Sequence, residues 1–332
     1  MLVLITGGAG YIGSFANRVL LEKGLETVVL DNFTAGHRGA VPHGAPFVRA
    51  DLNEMDTVRN AFRSYRFDAV LHFAAHSLVG ESVEHPLEYY RNNVAGTVNL
   101  LSAMKAAGVR KFVFSSSAAL YGNPTEIPID EHHRVMPINP YGRSKAMIEQ
   151  ILEDCASAWG LKTVALRYFN AAGASPNGDM GEDHRNETHL IPLILRAAMG
   201  TGRAGEPVRV FGTDYDTPDG TCLRDYIHVI DLAEAHVLAL DWMERVGGCT
   251  WFNLGNERGF SVLEIIRVCE EVTGISIPWK PAARRSGDPA ILVASSKKIR
   301  RELGWSPRYS EIRDIVRTAW LWHSSHSRGY GD

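Results

Sequence analysis

The chain reads as an α/β protein: a doubly wound parallel sheet in its first half, followed by a smaller α+β lobe. Three observations predict this. Short, nearly continuous apolar or β-branched runs alternate with segments whose apolar residues recur every three or four positions. Strands of that kind are buried on both faces, the signature of a parallel sheet covered by helices. Beyond about Asn170 the alternation gives way to stretches rich in Gly, Pro and Asp, such as GASPNGDMGEDHRNE and FGTDYDTPDGTC.

In chain order, the predicted strands are 2–6, 27–31, 47–51, 69–75, 111–117 and 163–169. The clearest helical patterns between them cover 13–24, 86–108 and 144–160, with glycine stops at Gly24, Gly108 and Gly160. A further helix start is written in NPYGRSK: Asn139 is a favoured N-cap, and Pro140 suits the first helical position, where its missing N–H costs nothing. In the second half, helical patterns lie at 190–200, 231–245, 261–273 and 308–322, with a strand-like run at 251–255. The expected division is a nucleotide-binding domain at 1–169, to which segments around 225–255 return, and a smaller substrate-binding domain at 170–332.

Composition narrows the function. Hydrophobic content of 45% and charged content of 22% are those of an ordinary globular chain. A net charge of -3 over 332 residues supplies no polybasic face, so nucleic acid and anionic membrane are not expected partners. No apolar run approaches the roughly 20 residues needed to span a bilayer. The opening MLVLIT shows no secretion signal, and Cys155, Cys222, Cys249 and Cys269 form no C-x-x-C pair. These features predict a cytoplasmic protein with reduced thiols. His132, His133, His323 and His326 lie in polar or terminal contexts, and no metal is expected.

The first strand runs into TGGAGYIGS, where Gly7, Gly10 and Gly13 are spaced G-x-x-G-x-x-G between a strand and a helix. Glycines there permit a tight turn and let backbone N–H groups approach a pyrophosphate at the helix N-terminus, the Rossmann-like arrangement. The second strand ends in Asp31, eighteen residues after Gly13. An acidic residue at that point accepts from a ribose 2′-OH and repels a 2′-phosphate, which favours NAD over NADP. Asp51 closes the third strand on the adenine side. The small residues of HFAA (72–75) let the chain pass close to the cofactor, and Ser115, Ser116 and Ser117 end the fifth strand at the same edge.

Tyr141 and Lys145 stand at i and i+4 in the first turns of a helix and therefore share a face. A free tyrosine, with pKa ~10, is a poor base at neutral pH. A nearby cation favours its phenolate. With a serine donating to the substrate oxygen, such a trio suits removal of a proton from an alcohol while hydride leaves the same carbon.

TGGAGYIGS, the serine run and YGRSK resemble the extended short-chain dehydrogenase/reductase superfamily. Within it the chain is similar, nearly end to end, to the UDP-glucose 4-epimerase family. The likeness extends through DNFTAG, HFAAHSLVGESVEHPLEYYRNNVAGT, FSSSAALYG, PINPYGRSK, LRYFNAAGA, HLIPLIL, VFGTDYDTPDGTCLRDYIHV, FNLG, RRSGDPA and the final HSRGYGD. The resemblance implies an isomerase with NAD as cofactor and UDP-glucose and UDP-galactose as substrates, inverting C4 by transient oxidation, rotation of the keto sugar and re-reduction. It also implies a homodimer. Ser117, Tyr141 and Lys145 match the catalytic residues. Tyr11, Ile12, Asp31, Asn32, Phe33, Thr34, Ala35, Gly36, Asp51, Leu52, Phe73, Ala74, Ala75, His76, Ser77, Asn92 and Phe169 match cofactor contacts, together with the three glycines and the catalytic trio. Asn170, His189, Leu190, Phe211, Arg224, Arg285 and Asp288 match substrate contacts, along with Ser117 and Tyr141. Arginines there suit a diphosphate, which guanidinium forks bind well.

The chain departs from the family pattern at four places. Phe15 stands where many relatives have histidine, His76 where some have lysine, and His189 where some have asparagine. After Asp288 the chain is one residue short against some relatives, so Ile291 or Leu292 takes the position that gates N-acetylated sugars. UDP-pentose and UDP-N-acetylhexosamine epimerases, and a non-catalytic NAD-sensing module, are the alternative readings. A dehydratase needs a carboxylate after the serine, where this chain has Ala118 and Ala119.

Overall fold

The computed structural model describes residues 1–201, 207–285 and 287–331. The strands are β1 (Leu2–Thr6), β2 (Glu26–Asp31), β3 (Phe47–Arg49), β4 (Ala69–His72), β5 (Lys111–Ser117), β6 (Lys162–Tyr168), β7 (Asn170–Ala172), β8 (Val208–Phe211), β9 (Leu223–His228), β10 (Cys249–Leu254), β11 (Gly259–Ser261), β12 (Trp279–Ala282) and β13 (Ile291–Leu292). Among the described residues, a seven-stranded sheet runs β10-β6-β5-β4-β1-β2-β3, every neighbouring pair parallel. The order reverses direction between β1 and β4. In such sheets a crevice opens at that switch, outside the carboxyl ends of the strands.

The helices are α1 (Tyr11–Glu22), α2 (Met55–Ser64), α3 (Val79–Glu84), α4 (Pro86–Tyr89), α5 (Gly96–Ala107), α6 (Pro140–Trp159), α7 (Leu190–Ala198), α8 (Val229–Arg245), α9 (Val262–Thr273), α10 (Lys297–Leu303) and α11 (Ile312–Ser325). One face of the large sheet is covered by α1 and α8, whose Phe15, Leu20, Leu232 and Leu240 join Ile5 and Leu71 in a common core. The other face is covered by α2, α5 and α6 through Val58, Leu100, Met104, Ile148 and Leu152. A smaller core in the second half joins α7, α9 and α11 through Ile191, Ile265 and Ile315. It packs beside the β9 sheet and the β8–β12 pair.

Differences from the sequence expectation have local causes. The fourth strand stops at His72 because the N–H groups of Phe73 and Ala74 both turn to the Thr6 carbonyl, at 2.9 and 3.1 Å. The third stops at Arg49, so Asp51 lies just beyond a strand end. The single helix expected over 86–108 divides: α4 runs through a π-helical turn (Tyr90–Ala95) into α5. The last helix starts later than the pattern, since the N–H groups of Arg308 and Tyr309 are held by the buried Asp231 carboxylate at 2.8 and 2.9 Å. No helix among the described residues is long and apolar enough to cross a membrane.

Candidate active site

The β1–α1 turn is built around backbone crowding. Gly7 has φ +71°, and a Cβ there would sit 2.5 Å from the Ala74 nitrogen. A Cβ on Gly13 would lie 2.3 Å from the Gly7 carbonyl oxygen. Gly10 caps α1 without a side chain, so the unpaired N–H groups of the first helical turn face the crevice uncovered. Asp31, at the end of β2, accepts from the Ala9 N–H at 3.0 Å through one oxygen and from the Phe33 N–H at 2.8 Å through the other. Burial raises its pKa, and these backbone bonds oppose the rise.

The crevice is open to solvent and has a cavity volume of about 120 Å³. Its wall brings together Gly7, Gly10, Asp31, Asn32, Thr34, Ala35, Gly36, Asp51, Leu52, Phe73, Ala74, Ala75, His76 and Asn92, all expected from sequence. Leu30 and Ala50 also line it and were not expected. Asn32 donates to Asp51 at 2.9 Å, tying the two strand ends. A cradle that any Cβ would fill, an open helix N-terminus and a carboxylate at the second strand end fit a dinucleotide.

Six expected cofactor residues outside the catalytic trio lie off this wall. The Tyr11 hydroxyl donates to the Gly173 carbonyl at 2.6 Å, which leaves its main chain to face the cleft. Ile12 packs into the core beneath α1, and Gly13 backs the turn. Phe33 sets its ring edge-on to Phe47, 5.9 Å away. Ser77 is exposed, and Phe169 is buried in a cluster with Leu120 and Tyr121. Asn93, overlooked in the sequence, fixes the loop after β4. It accepts from His76 N–H at 2.8 Å and donates to His76 carbonyl at 3.0 Å and to Ser144 at 3.1 Å. Two adjacent asparagines inside an apolar helical run were the available signal.

Helix α6 begins against the end of β5. The Asn139 side chain accepts from Gly142 N–H at 2.8 Å, and a Cβ on Gly142 would come within 2.4 Å of the Ala119 carbonyl oxygen. That close approach seats Tyr141 beside Ser117. Burial raises the Tyr141 pKa, and its hydrogen bond with the Ser117 hydroxyl draws it down. Ser117 Oγ itself accepts from Ala119 N–H at 3.1 Å, which turns the serine proton outward.

Lys145 is buried one turn further on. Its ammonium donates to the Ser115 carbonyl at 2.7 Å and lies 5.7 Å from the Tyr141 ring centre. Burial lowers its pKa to about 7. The lysine thus lies beside the tyrosine ring, while burial dominates the phenol. Another turn on, Glu149 holds Arg167 in a two-pronged pair at 3.0 and 2.5 Å and accepts from Ser116 at 2.6 Å.

The expected substrate residues other than Ser117 and Tyr141 sit in the second half of the chain, and none of them lines the crevice wall. Asn170 opens β7, directly after β6. Arg224 is paired with Asp288 and donates to the Pro289 carbonyl at 2.8 Å. Arg285 lies over the Phe211 ring at 4.1 Å. Ile291 and Leu292 pair with Leu223 and Arg224. His189 caps α7 ahead of Leu190 and contacts Glu182 at 2.6 Å. Burial disfavours charge on the neighbouring His184, but Glu182 and Glu187 outweigh it and raise its pKa to about 9.

With this geometry in hand, comparison with known proteins is direct. Residues 3–255 match the model of the NAD dependent epimerase/dehydratase family. The chain is 52% identical over 330 residues to a UDP-glucose 4-epimerase of Halalkalibacterium halodurans, covering 99% of this chain and 98% of that one. Its structure resembles a UDP-glucose 4-epimerase of Brucella ovis in complex with NAD, with TM-score 0.92 and 47% identity, covering 96% of this chain and 97% of that one. It also resembles one from Bifidobacterium longum in complex with NAD+ and UDP, with TM-score 0.95 and 39% identity, covering 99% and 100%.

The buried lysine gives a pH signature. Its folded pKa of about 7 lies below the unfolded value, so the unfolded chain holds more protons between the two. Stability gained from this group thus rises with pH above 7. Between pH 7 and pH 9, cofactor-free wild type should gain about 2 kcal/mol over Lys145→Met in urea unfolding. Parallel pH profiles for the two proteins contradict the burial argument.

Proposed function

The chain belongs to the NAD dependent epimerase/dehydratase family, and on that premise we propose that it is a UDP-glucose 4-epimerase, an NAD-dependent isomerase interconverting UDP-glucose and UDP-galactose. The observation that carries this reading is the Tyr141–Ser117 contact at the carboxyl edge of β5, on the same sheet edge as the glycine-built crevice. NAD, when bound, supplies the acceptor that takes hydride from C4 and returns it. The chain's own residues do the rest. Gly7, Gly10 and the open N-terminus of α1 receive the pyrophosphate, and Asp31 takes the adenosine ribose. Asp51 and Asn32 close the adenine side.

Tyr141 accepts the proton of the C4 hydroxyl, and Ser117 donates to that oxygen as it becomes a carbonyl. Lys145 favours the phenolate through its charge. Arg224, Arg285 and Phe211 grip the UDP end, with Asp288 orienting Arg224. Asn170, His189 and Leu190 border the sugar. A firm hold on UDP with few contacts to the hexose lets the 4-keto sugar present its other face before Tyr141 returns the proton.

Residues 1–169, joined by α8 and β10, form the NAD-binding domain, and the remainder of 170–332 forms the substrate lobe. The protein works in the cytoplasm as a homodimer. The dimer reading is supported by side chains left in solvent on the α4–α6 surface: Leu87, Val98 and Met147 are 76%, 42% and 42% exposed, and Val98 and Met147 line a shallow apolar hollow. Light scattering should return twice the chain mass, and Val98→Glu combined with Met147→Glu should return the mass of one chain. A wild-type protein of single-chain mass contradicts the dimer.

Tyr141→Phe tests the chemistry. It should keep bound NAD while its conversion of UDP-glucose, followed by chromatography, falls by roughly 10²–10⁴, the usual contribution of a positioned general base. Full activity in this variant contradicts the mechanism. A wild-type protein that turns over only UDP-pentoses or UDP-N-acetylhexosamines moves the substrate and leaves the Tyr141 role in place.

A further inference from the structure

The segment 181–189 carries a cluster of which the epimerase reading uses only His189. Among the described residues, Glu182, His184, Glu187 and His189 each offer one donor atom to a common centre, all four within 4.8 Å of one another. Neighbouring side chains of the same loop point elsewhere. Asp183 holds the Tyr330 N–H at 3.0 Å, and Arg185 reaches the Thr34 carbonyl at 3.2 Å.

We propose that these four side chains bind a divalent metal ion, Zn²⁺, as a structural clamp on the loop that joins the cofactor crevice to the substrate lobe. The donor chemistry selects the ion. Two imidazole nitrogens with two carboxylate oxygens suit zinc, whereas calcium and magnesium take oxygen shells. The spacing fits as well. Zinc–ligand bonds of about 2.0–2.2 Å in a tetrahedron place donor atoms about 3.3–3.5 Å apart. His184 Nδ1 stands 3.3 Å from Glu182 and 3.3 Å from Glu187 Oε2, while His189 Nδ1 stands 3.4 Å from the other Glu187 oxygen. The His189–Glu182 edge, 2.6 Å, opens by less than 1 Å to reach that spacing, and no pair of donors in the cluster is more than 4.8 Å apart.

The carboxylates are ready for the role. Their side chains are 4% and 2% exposed, so the carboxylate side of the site is buried while His189 faces solvent. Backbone N–H groups of Thr188 and His189 both hold Glu187 Oε1 at 2.8 Å, orienting the carboxylate and leaving Oε2 toward the centre. Arg196 approaches that oxygen only at 4.0 Å. Four protein donors fill a tetrahedron and leave no place for a reactive water, so the ion holds structure and takes no part in the chemistry. What it holds is the entry to α7, where His189 and Leu190 stand, and through Arg185 the loop at Thr34.

The test uses the full chain with its NAD, freed of metal by a chelator and titrated with zinc sulfate in a calorimeter. The expected result is one Zn²⁺ per chain. His184→Ala and Glu187→Gln should each weaken binding by more than the roughly 10–100-fold that changes around a ligand shell cost. His132→Ala, in an exposed loop, should leave binding unchanged. If either cluster variant folds poorly, Co²⁺ on the wild type decides: the strong visible bands of a four-coordinate site are expected, displaced by one equivalent of Zn²⁺. No zinc binding by the wild type, equal binding by wild type and His184→Ala, or a Co²⁺ spectrum of six-coordinate water overturns the proposal and leaves an ion-pair cluster only. Because the readout is metal affinity, it stands or falls apart from UDP-sugar turnover.

Discussion

One helix face sets the rest of the site. Tyr141, Lys145 and Glu149, four residues apart, run down α6 against the end of β5, and each meets a different serine of that strand. Tyr141 meets the Ser117 hydroxyl, Lys145 the Ser115 carbonyl, and Glu149 the Ser116 hydroxyl. The register is locked at the buried end by Arg167 from β6, which also donates to Tyr121 at 3.0 Å. Removing one partner of such a buried pair strands a charge and costs on the order of 3–5 kcal/mol. Slippage of α6 against the sheet is therefore energetically closed, and Tyr141 is held where the Gly142 contact places it.

The same sheet edge carries both halves of the reaction. A crevice that accepts a dinucleotide only because glycines line its turn opens beside a phenol that is nearly buried. Burial has two opposing effects there. It raises the phenol, away from neutral pH, and lowers Lys145 to about 7, so burial favours the uncharged form of both groups and the lysine ammonium becomes sensitive to what binds near it.

Much of this was legible in the sequence, and the reason is locality. The β1–α1 glycines, Asp31, the Asn139–Pro140 helix start and the Tyr141–Lys145 pair all declare themselves within a few residues. Their positions in the structure follow from turn and helix geometry. What escaped was long-range. Nothing near Glu149 names Arg167 as its partner, and nothing near Arg224 shows that Asp288 will occupy its guanidinium. The break of the 86–108 helix at Tyr90 had no proline to mark it, and Asn93 became a clamp only because β4 ends beside it. The sequence offered His189 only as a substrate contact and did not single out His184, since nothing local shows that the loop folds both onto two carboxylates.

The central claim is that Tyr141 takes a proton from oxygen while hydrogen at C4 leaves and returns as hydride within one closed site. UDP-glucose carrying deuterium at C4, given to the purified protein with no added cofactor, tests this most directly. The account predicts UDP-galactose with the deuterium still at C4 and none released to water. Loss of the label to solvent would mean that C4 is inverted by proton abstraction from carbon, and would contradict the role given to Tyr141 and the crevice beside it.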